Sequence, residues 1–340
     1  MSELVSEGSV HDGVSNTTID IEDTISAFAN ELKTTTLDAV RREWTKAKAM
    51  TLDELDALNG RNKVGCGIID HYFFAERLAT VGNKGINFIT FMENIEYYKT
   101  KKYIQTLLTF CEKNNRYKDS ILKRYYYIYG LCFGRVNAFK VTNALMIYKK
   151  YRPTKVLDPF CGFGGRLVGA LMENIEYRGY DLNTYMEAPY ARLLSDFSSE
   201  GGTNASVSFC DSTFIDYDEL AKTYPYDMVL TSPPYRNIEV YRSSERHPND
   251  WWHALYVRIF TSLWSGLSTN GYLVVNINEE IYQESLKPLL GECLEKTLLT
   301  KTVKNSYREY VYVWVKKWPL LTLKNIVLIE QSTDRIERGE

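Results

Sequence analysis

From Lys155 onward the chain is written as short apolar runs separated by helix-length segments, and this rhythm constrains the fold more than any other feature. The runs are Lys155–Phe160 (KVLDPF), Tyr177–Asp181 (YRGYD), Ala205–Asp211 (ASVSFCD), Asp227–Pro233 (DMVLTSP) and Gly271–Ile277 (GYLVVNI). Strands that alternate with helices build βαβ units, and so an α/β architecture with a parallel sheet covered on both faces. Two further apolar runs follow, Thr302–Ser306 and Tyr310–Lys316 (YVYVWVK). In the second, both alternating faces are apolar or aromatic, which predicts a strand buried on both sides.

The first 134 residues read differently. Residues 1–35 carry Glu3, Glu7, Asp12, Asp20, Glu22, Asp23 and Glu31 with no Lys or Arg before Lys33. That is the composition of a solvated tail, with a short helix at most near Ile25–Leu32. Residues 36–134 are helical in pattern, and Thr51-Leu-Asp-Glu54 has the form of a capping box. Between Lys99 and Arg124, eight basic residues face only Glu112 and Asp119, interleaved with tyrosines. A surface that tracks phosphates and stacks bases needs this mixture, with Lys101, Lys102, Arg116 and Lys118 as candidate contacts. An ordinary solvated helix face is the alternative. The α/β part spans 135–319, and 320–340 form a C-terminal extension.

Net charge is −2, so no global basic field marks a nucleic-acid binder and any such surface must be local. The six cysteines include no CxxC pair, and His71, His247 and His253 are scattered, so no metal site is expected. No apolar stretch reaches the ~18 residues of a membrane span. With no leader-like N-terminus either, the expectation is an intracellular, cytoplasmic protein with reduced thiols, or a nuclear one in a eukaryote.

Two constellations carry chemistry. Asp158-Pro-Phe160-Cys-Gly162-Phe-Gly164-Gly165 follows the first strand and precedes a helical run. Glycines there let the backbone turn sharply and approach a ligand closely. Asp181 ends the second strand, placed to accept hydrogen bonds from ribose hydroxyls, and Asp211 ends the third. Acidic strand ends around a glycine turn suit a nucleoside without phosphates better than a dinucleotide. The second constellation is Thr231-Ser232-Pro233-Pro234-Tyr235, where two prolines hold a rigid loop at the carboxyl edge of the sheet.

DPFCGFG and TSPPY, in this order, resemble the two signature motifs of the S-adenosylmethionine-dependent methyltransferases that modify exocyclic amino groups of nucleobases. The Ser-first form of the second motif is similar to that of N4-cytosine enzymes; N6-adenine enzymes usually begin it with Asp or Asn. The resemblance spans roughly Arg135–Trp318. It implies a Rossmann-like, class I fold with a seven-stranded, mostly parallel sheet behind a helical N-terminal domain, and S-adenosylmethionine as cofactor. Asp158, Phe160, Gly162 and Gly164 would line the cofactor's methionine and ribose. Asp181 would hold the ribose hydroxyls and Asp211 the adenine amino group, while Phe139 and Thr142 would close over the methionine end. Ser232, Pro233, Pro234 and Tyr235 would hold the target base, with Tyr235 stacked on it.

Hydrogen bonds from the amine to the Ser232 hydroxyl and the Pro233 carbonyl would free its lone pair for direct attack on the sulfonium methyl, with no covalent nucleophile. Cys161 then serves only as a small packing residue. Arg242 and Arg246 could meet phosphate, and Trp251 and Trp252 either wedge beside the base or anchor the next helix. The substrate implied is DNA first and RNA second. A catalytically silent nucleic-acid-binding subunit and, more remotely, a nicotinamide dehydrogenase are the rival readings.

Overall fold

Seven strands, β1 (Lys155–Asp158), β2 (Glu176–Asp181), β3 (Ala205–Phe209), β4 (Met228–Thr231), β5 (Tyr272–Asn278), β6 (Glu295–Leu298) and β7 (Glu309–Val315), form one sheet. Their order is β3-β2-β1-β4-β5-β7-β6. Strands β1 to β5 are parallel, and β7 runs antiparallel to both β5 and β6. This is the class I, Rossmann-like methyltransferase fold expected from the resemblance. The computed structural model describes residues 14–197, 204–235, 240–242, 248, 251–299 and 309–317. The predicted run Thr302–Ser306 and the extension 320–340 lie outside them. Among the described residues the edge next to β7 is β6, whose polar sequence EKTL exposes its last three residues and so carries no apolar signal.

Alternation along the central strands divides the core. Val156, Met228, Leu230, Val274, Val311 and Val313 face one apolar cluster, while Leu157, Val229, Leu273, Val275, Tyr312 and Trp314 face the other. Strand β7 is thus buried on both sides, as its sequence predicts. Helices precede and connect the strands: α1 (Val14–Leu32), α2 (Leu37–Lys48), α3 (Leu52–Asp56), α4 (Cys66–Ala79), α5 (Phe88–Glu93), α6 (Ile95–Lys99), α7 (Lys102–Lys113), α8 (Ile121–Cys132), α9 (Val141–Tyr151), α10 (Gly165–Met172), α11 (Glu187–Phe197), α12 (Tyr217–Thr223) and α13 (Trp251–Gly266). The capping box at Thr51 is present, with both reciprocal hydrogen bonds formed.

The acidic segment is not a solvated tail from Val14 on. It forms α1, because Ile25 and Leu32 stand two turns apart on one face and bury against the α4–α8 cluster. The helical region packs on the α/β part. Trp44 of α2 stacks on Phe197 of α11 with centroids 4.0 Å apart, and the Tyr72 hydroxyl of α4 donates to Asp196 at 2.7 Å. The order of the strands reverses between β1 and β4, and open α/β sheets bind ligands outside the carboxyl ends of the strands at that crevice.

Candidate active site

Strand β1 ends at Asp158 and the chain turns into α10 through Gly162, at φ +56°. A Cβ on Gly162 would meet nothing within 4 Å, so this turn faces open space. Gly165 answers a different need: a Cβ there would stand 1.9 Å from the Phe139 carbonyl oxygen. Gly164 is backed by the Phe73 ring of α4 rather than by open space.

Asp158 departs from its expected role. Its carboxylate is fully buried, and one oxygen accepts from Arg166 Nε and the Tyr177 hydroxyl, each at 2.6 Å. The other accepts from Thr231 Oγ1 at 2.8 Å and from the Phe160 amide at 3.3 Å. The side chain therefore ties β1, β2, β4 and α10 together and does not itself line the cofactor crevice. Arg166, which no sequence motif singles out, also donates to the Phe160 carbonyl, and its guanidinium lies 5.2 Å from the Phe139 ring centroid. Phe160 packs at the edge of the second core cluster. Cys161 is a packing residue: burial drives its thiol well above the usual range.

Asp181 sits as expected at the end of β2. Its Oδ2 accepts from the Gly162 amide at 2.7 Å and its Oδ1 from the Asn183 amide at 2.9 Å. Burial pushes its pKa up to about 6, against the pull of those two bonds. A ribose hydroxyl bonds best to the ionised carboxylate, so nucleoside binding should lower this pKa and release a proton. Affinity should accordingly fall as pH drops through about 6, and Asp181→Asn should abolish the proton release. Calorimetry in buffers of different ionisation enthalpy checks both.

Asn183 extends this cluster. Its amide donates at 3.0 Å to Glu76 of α4, a carboxylate only 3% exposed. Glu76 in turn receives Arg242 Nε at 3.1 Å and Arg242 Nη2, while Arg242 Nη1 pairs with Glu22 of α1. The Arg242 guanidinium lies 3.6 Å from the Tyr185 ring centroid, and the chain beside it is pinned by paired Val81–Val240 backbone bonds. Arg242 is thus a clamp between the helical region and the loop after the TSPPY motif, not a phosphate contact. Arg246 lies outside the described residues. Glu76→Ala should leave the Arg242 guanidinium with Glu22 as its remaining carboxylate and the Asn183 amide without its acceptor, costing on the order of 3 kcal/mol in urea unfolding, and should loosen Asn183 against Asp181.

The TSPPY segment leaves the end of β4. Thr231 is fully buried and its bond to Asp158 sets the motif beside the glycine turn. The Tyr235 hydroxyl donates to the Asn276 carbonyl of β5 at 2.7 Å and lies 2.9 Å from Ser232 Oγ. A phenol has one proton, so Ser232 is the donor in the second bond, and its oxygen is left with acceptor capacity. The Asn276 side chain donates to the Tyr310 carbonyl at 3.1 Å, holding its Oδ1 3.4 Å from Ser232. Pro233 is buried, and the Pro234 carbonyl accepts from the Tyr256 hydroxyl at 2.5 Å. The Tyr235 ring packs at the edge of the second core cluster instead of standing clear as a stacking platform, a departure from expectation. Asn276 and Glu76 are invisible at the level of sequence because neither lies in a motif.

Asp211 caps the short 3-10 turn Ser212–Phe214, its Oδ1 accepting from the Thr213 amide and hydroxyl at 2.9 and 2.7 Å. Phe214 beside it is 78% exposed. Thr142, at the start of α9, is buried, and its hydroxyl has no hydrogen-bond partner among the described residues. Trp252 is buried on α13, which satisfies the anchoring alternative for that residue. Lys101, Lys102, Arg116 and Lys118 lie around α7 and the α7–α8 connection. Among the described residues, no group of three or more metal-ligating side chains occurs and no helix is long and apolar enough to cross a membrane.

No protein-family model matches the chain, and no curated protein matches it. Among solved structures, it is similar to TrmN from Thermus thermophilus, at 16% identity over 52% of this chain and 48% of that one, with a TM-score of 0.36. It is similar to the M. jannaschii tRNA m1G37 methyltransferase at 14% identity, over 52% of this chain and 48% of that one, with a TM-score of 0.35. An RNA methyltransferase from Salinibacter ruber, solved in complex with S-adenosyl-L-homocysteine, aligns at 10% identity over 55% of this chain and 97% of that one, with a TM-score of 0.36. The chain spans about half the length of the first two. Similarity at this level adds nothing to the fold assignment, which rests on strand order and direction.

Proposed function

We propose that this chain is an S-adenosylmethionine-dependent methyltransferase acting on the exocyclic amino group of a nucleobase, with DNA as the substrate that the Ser-first motif favours. The observation that carries this reading is one chain of hydrogen bonds: Thr231 bonds to Asp158 at the glycine turn, and Gly162 in that turn bonds to Asp181. The amine-holding motif and the ribose acid are thereby anchored on the same turn.

The residues present fit the cofactor. Each Asp181 oxygen accepts one backbone amide and keeps a lone pair for a ribose hydroxyl. Gly162 faces open space, and the orphaned Thr142 hydroxyl offers a hydrogen bond towards the methionine end. Asp211 would take the adenine amino group with its second oxygen. When bound, the cofactor supplies an electrophilic methyl group on a positively charged sulfur.

The chain's own contribution is positioning. An aromatic amine is a weak nucleophile because its lone pair is delocalised into the ring. Tyr235, held by the Asn276 carbonyl, takes the Ser232 proton in a hydrogen bond and turns the Ser232 oxygen into an acceptor. That oxygen and the Pro233 carbonyl would each accept one amine N–H, drawing the nitrogen towards sp³ geometry and aligning its lone pair for in-line attack. Tyr235 and Asn276 act through Ser232 and are positioning residues.

Incubation with labelled cofactor and a mixture of DNA and RNA tests the reading. Label is expected in DNA. Label confined to RNA would move the substrate class and keep the chemistry, whereas a cofactor-binding protein that labels neither would be the silent subunit.

A further inference from the structure

The α7–α8 end of the helical region presents aromatic rings to water. Tyr103 and Phe110 are 49% and 42% exposed, and they stand seven residues apart on α7. At 1.5 Å per residue this places them on one face about 10 Å apart. Tyr117, in the connection to α8, is 44% exposed and adopts φ +52°, a left-handed conformation that L side chains rarely take. Asn115, two residues before it, is left-handed as well, at φ +50°. The connection therefore holds an unfavourable backbone while its tyrosine ring, resting on Tyr127 with centroids 5.6 Å apart, keeps 44% of the residue's surface in solvent.

Cations sit among these rings. The Arg116 guanidinium lies 5.7 Å from the Phe110 centroid and 5.1 Å from that of Tyr127, and Lys101 Nζ lies 3.9 Å above Tyr97. Lys99 and Arg124 are paired with Glu96 and Glu112. Lys101, Lys102, Lys113, Arg116, Lys118 and Lys123 form no ion pair among the described residues. The face is therefore strongly positive on a chain whose net charge is −2.

We infer that the α7–α8 tip is a platform for single-stranded nucleic acid, its rings stacking on unpaired bases and its unpaired cations meeting the phosphates. The inference deepens the reading above and rests on it only for the class of polymer. Charge selects a polyanion, and the rings select its form. In a duplex the faces of the bases are already stacked on one another, leaving only edges and backbone to a protein. In a single strand each base offers a free face to an aromatic side chain. A protein partner suits the patch less well, since lysine is depleted at such interfaces. Tyr98 and Tyr125, which flank the basic stretch Lys99–Arg124, are turned inward: Tyr125 is buried, and Tyr98 packs on Phe91 and Phe133. The platform is therefore narrower than the basic stretch.

Fluorescence anisotropy tests this with the full chain, no cofactor, and a labelled 20-nucleotide strand offered alone or as a duplex. The single strand is expected to bind at least tenfold more tightly. Combined Tyr103→Ala, Phe110→Ala and Tyr117→Ala changes should weaken single-strand binding at least tenfold and duplex binding by less than twofold. Tyr103→Phe with Tyr117→Phe, which keeps the rings, should bind as wild type and so controls for folding. Neutralising Lys101, Lys102, Arg116 and Lys118 should lower the salt slope by about one unit for each phosphate no longer met by a cation. Equal affinity for both forms, indifference to ring removal, or binding to anionic vesicles but to neither oligonucleotide would overturn the inference. Ring-dependent single-strand binding without methyl transfer would instead count against the proposed reaction and leave the platform standing.

Discussion

Ser232→Ala is expected to lose methyl transfer by on the order of a hundredfold, the usual consequence of deleting one preorganised polar group at a reacting centre. Cofactor affinity should stay at the wild-type value, because among the described residues Ser232 contacts Tyr235 and Asn276 and not the glycine turn or Asp181. Stability should change little, since the Tyr235–Asn276 bond survives the substitution. Tyr235→Phe is the informative partner. It keeps the ring and removes the hydroxyl that receives the Ser232 proton, so Ser232 can rotate and offer that proton towards the amine, the wrong polarity for activating it. Transfer should fall through kcat with KM for the cofactor unmoved. Single-turnover methylation and cofactor titration on the same proteins separate the two quantities.

Asp181→Ala should weaken S-adenosylmethionine binding at least tenfold by calorimetry. A hydrogen bond to a charged acceptor contributes about 1.5–3 kcal/mol, and each tenfold in affinity is about 1.4 kcal/mol. Two ribose bonds would carry the effect beyond tenfold. The substitution also frees the Gly162 and Asn183 amides, so the turn itself loosens. Asp181→Asn separates these effects: its carbonyl oxygen can still accept one of the two amides, and the remaining deficit reports the missing charge. Unchanged affinity in both variants would remove Asp181 from the site.

How much of this was legible in the sequence depends on the range of the interactions. The strands around Val156, Val229 and Val274 were readable because apolar runs of that length and spacing are local patterns. The glycine turn and TSPPY were readable because they need particular residues at consecutive positions. Strand β6 was hidden: an edge strand with three exposed positions needs no apolar run. The helix near Ile25–Leu32 was legible, but its extension back to Val14 was hidden by the acidic composition. The inward turn of Asp158 could not be read either, because it depends on Arg166, Tyr177 and Thr231 converging from three other elements. The same holds for Arg242, whose partners Glu22 and Glu76 are 220 and 166 residues away. Asn276 carries no motif at all and acts mainly through its backbone carbonyl, a group every residue has.

The most direct test of the central claim is where the methyl group goes. Wild type and Ser232→Ala should be incubated with labelled S-adenosylmethionine and nucleic acid, and the product digested to nucleosides and resolved by mass spectrometry. The account predicts label on an exocyclic amino nitrogen of cytosine or adenine, diminished by on the order of a hundredfold in the variant. Label on a ring carbon, a ring nitrogen or a ribose, or equal label with and without the Ser232 hydroxyl, would contradict it.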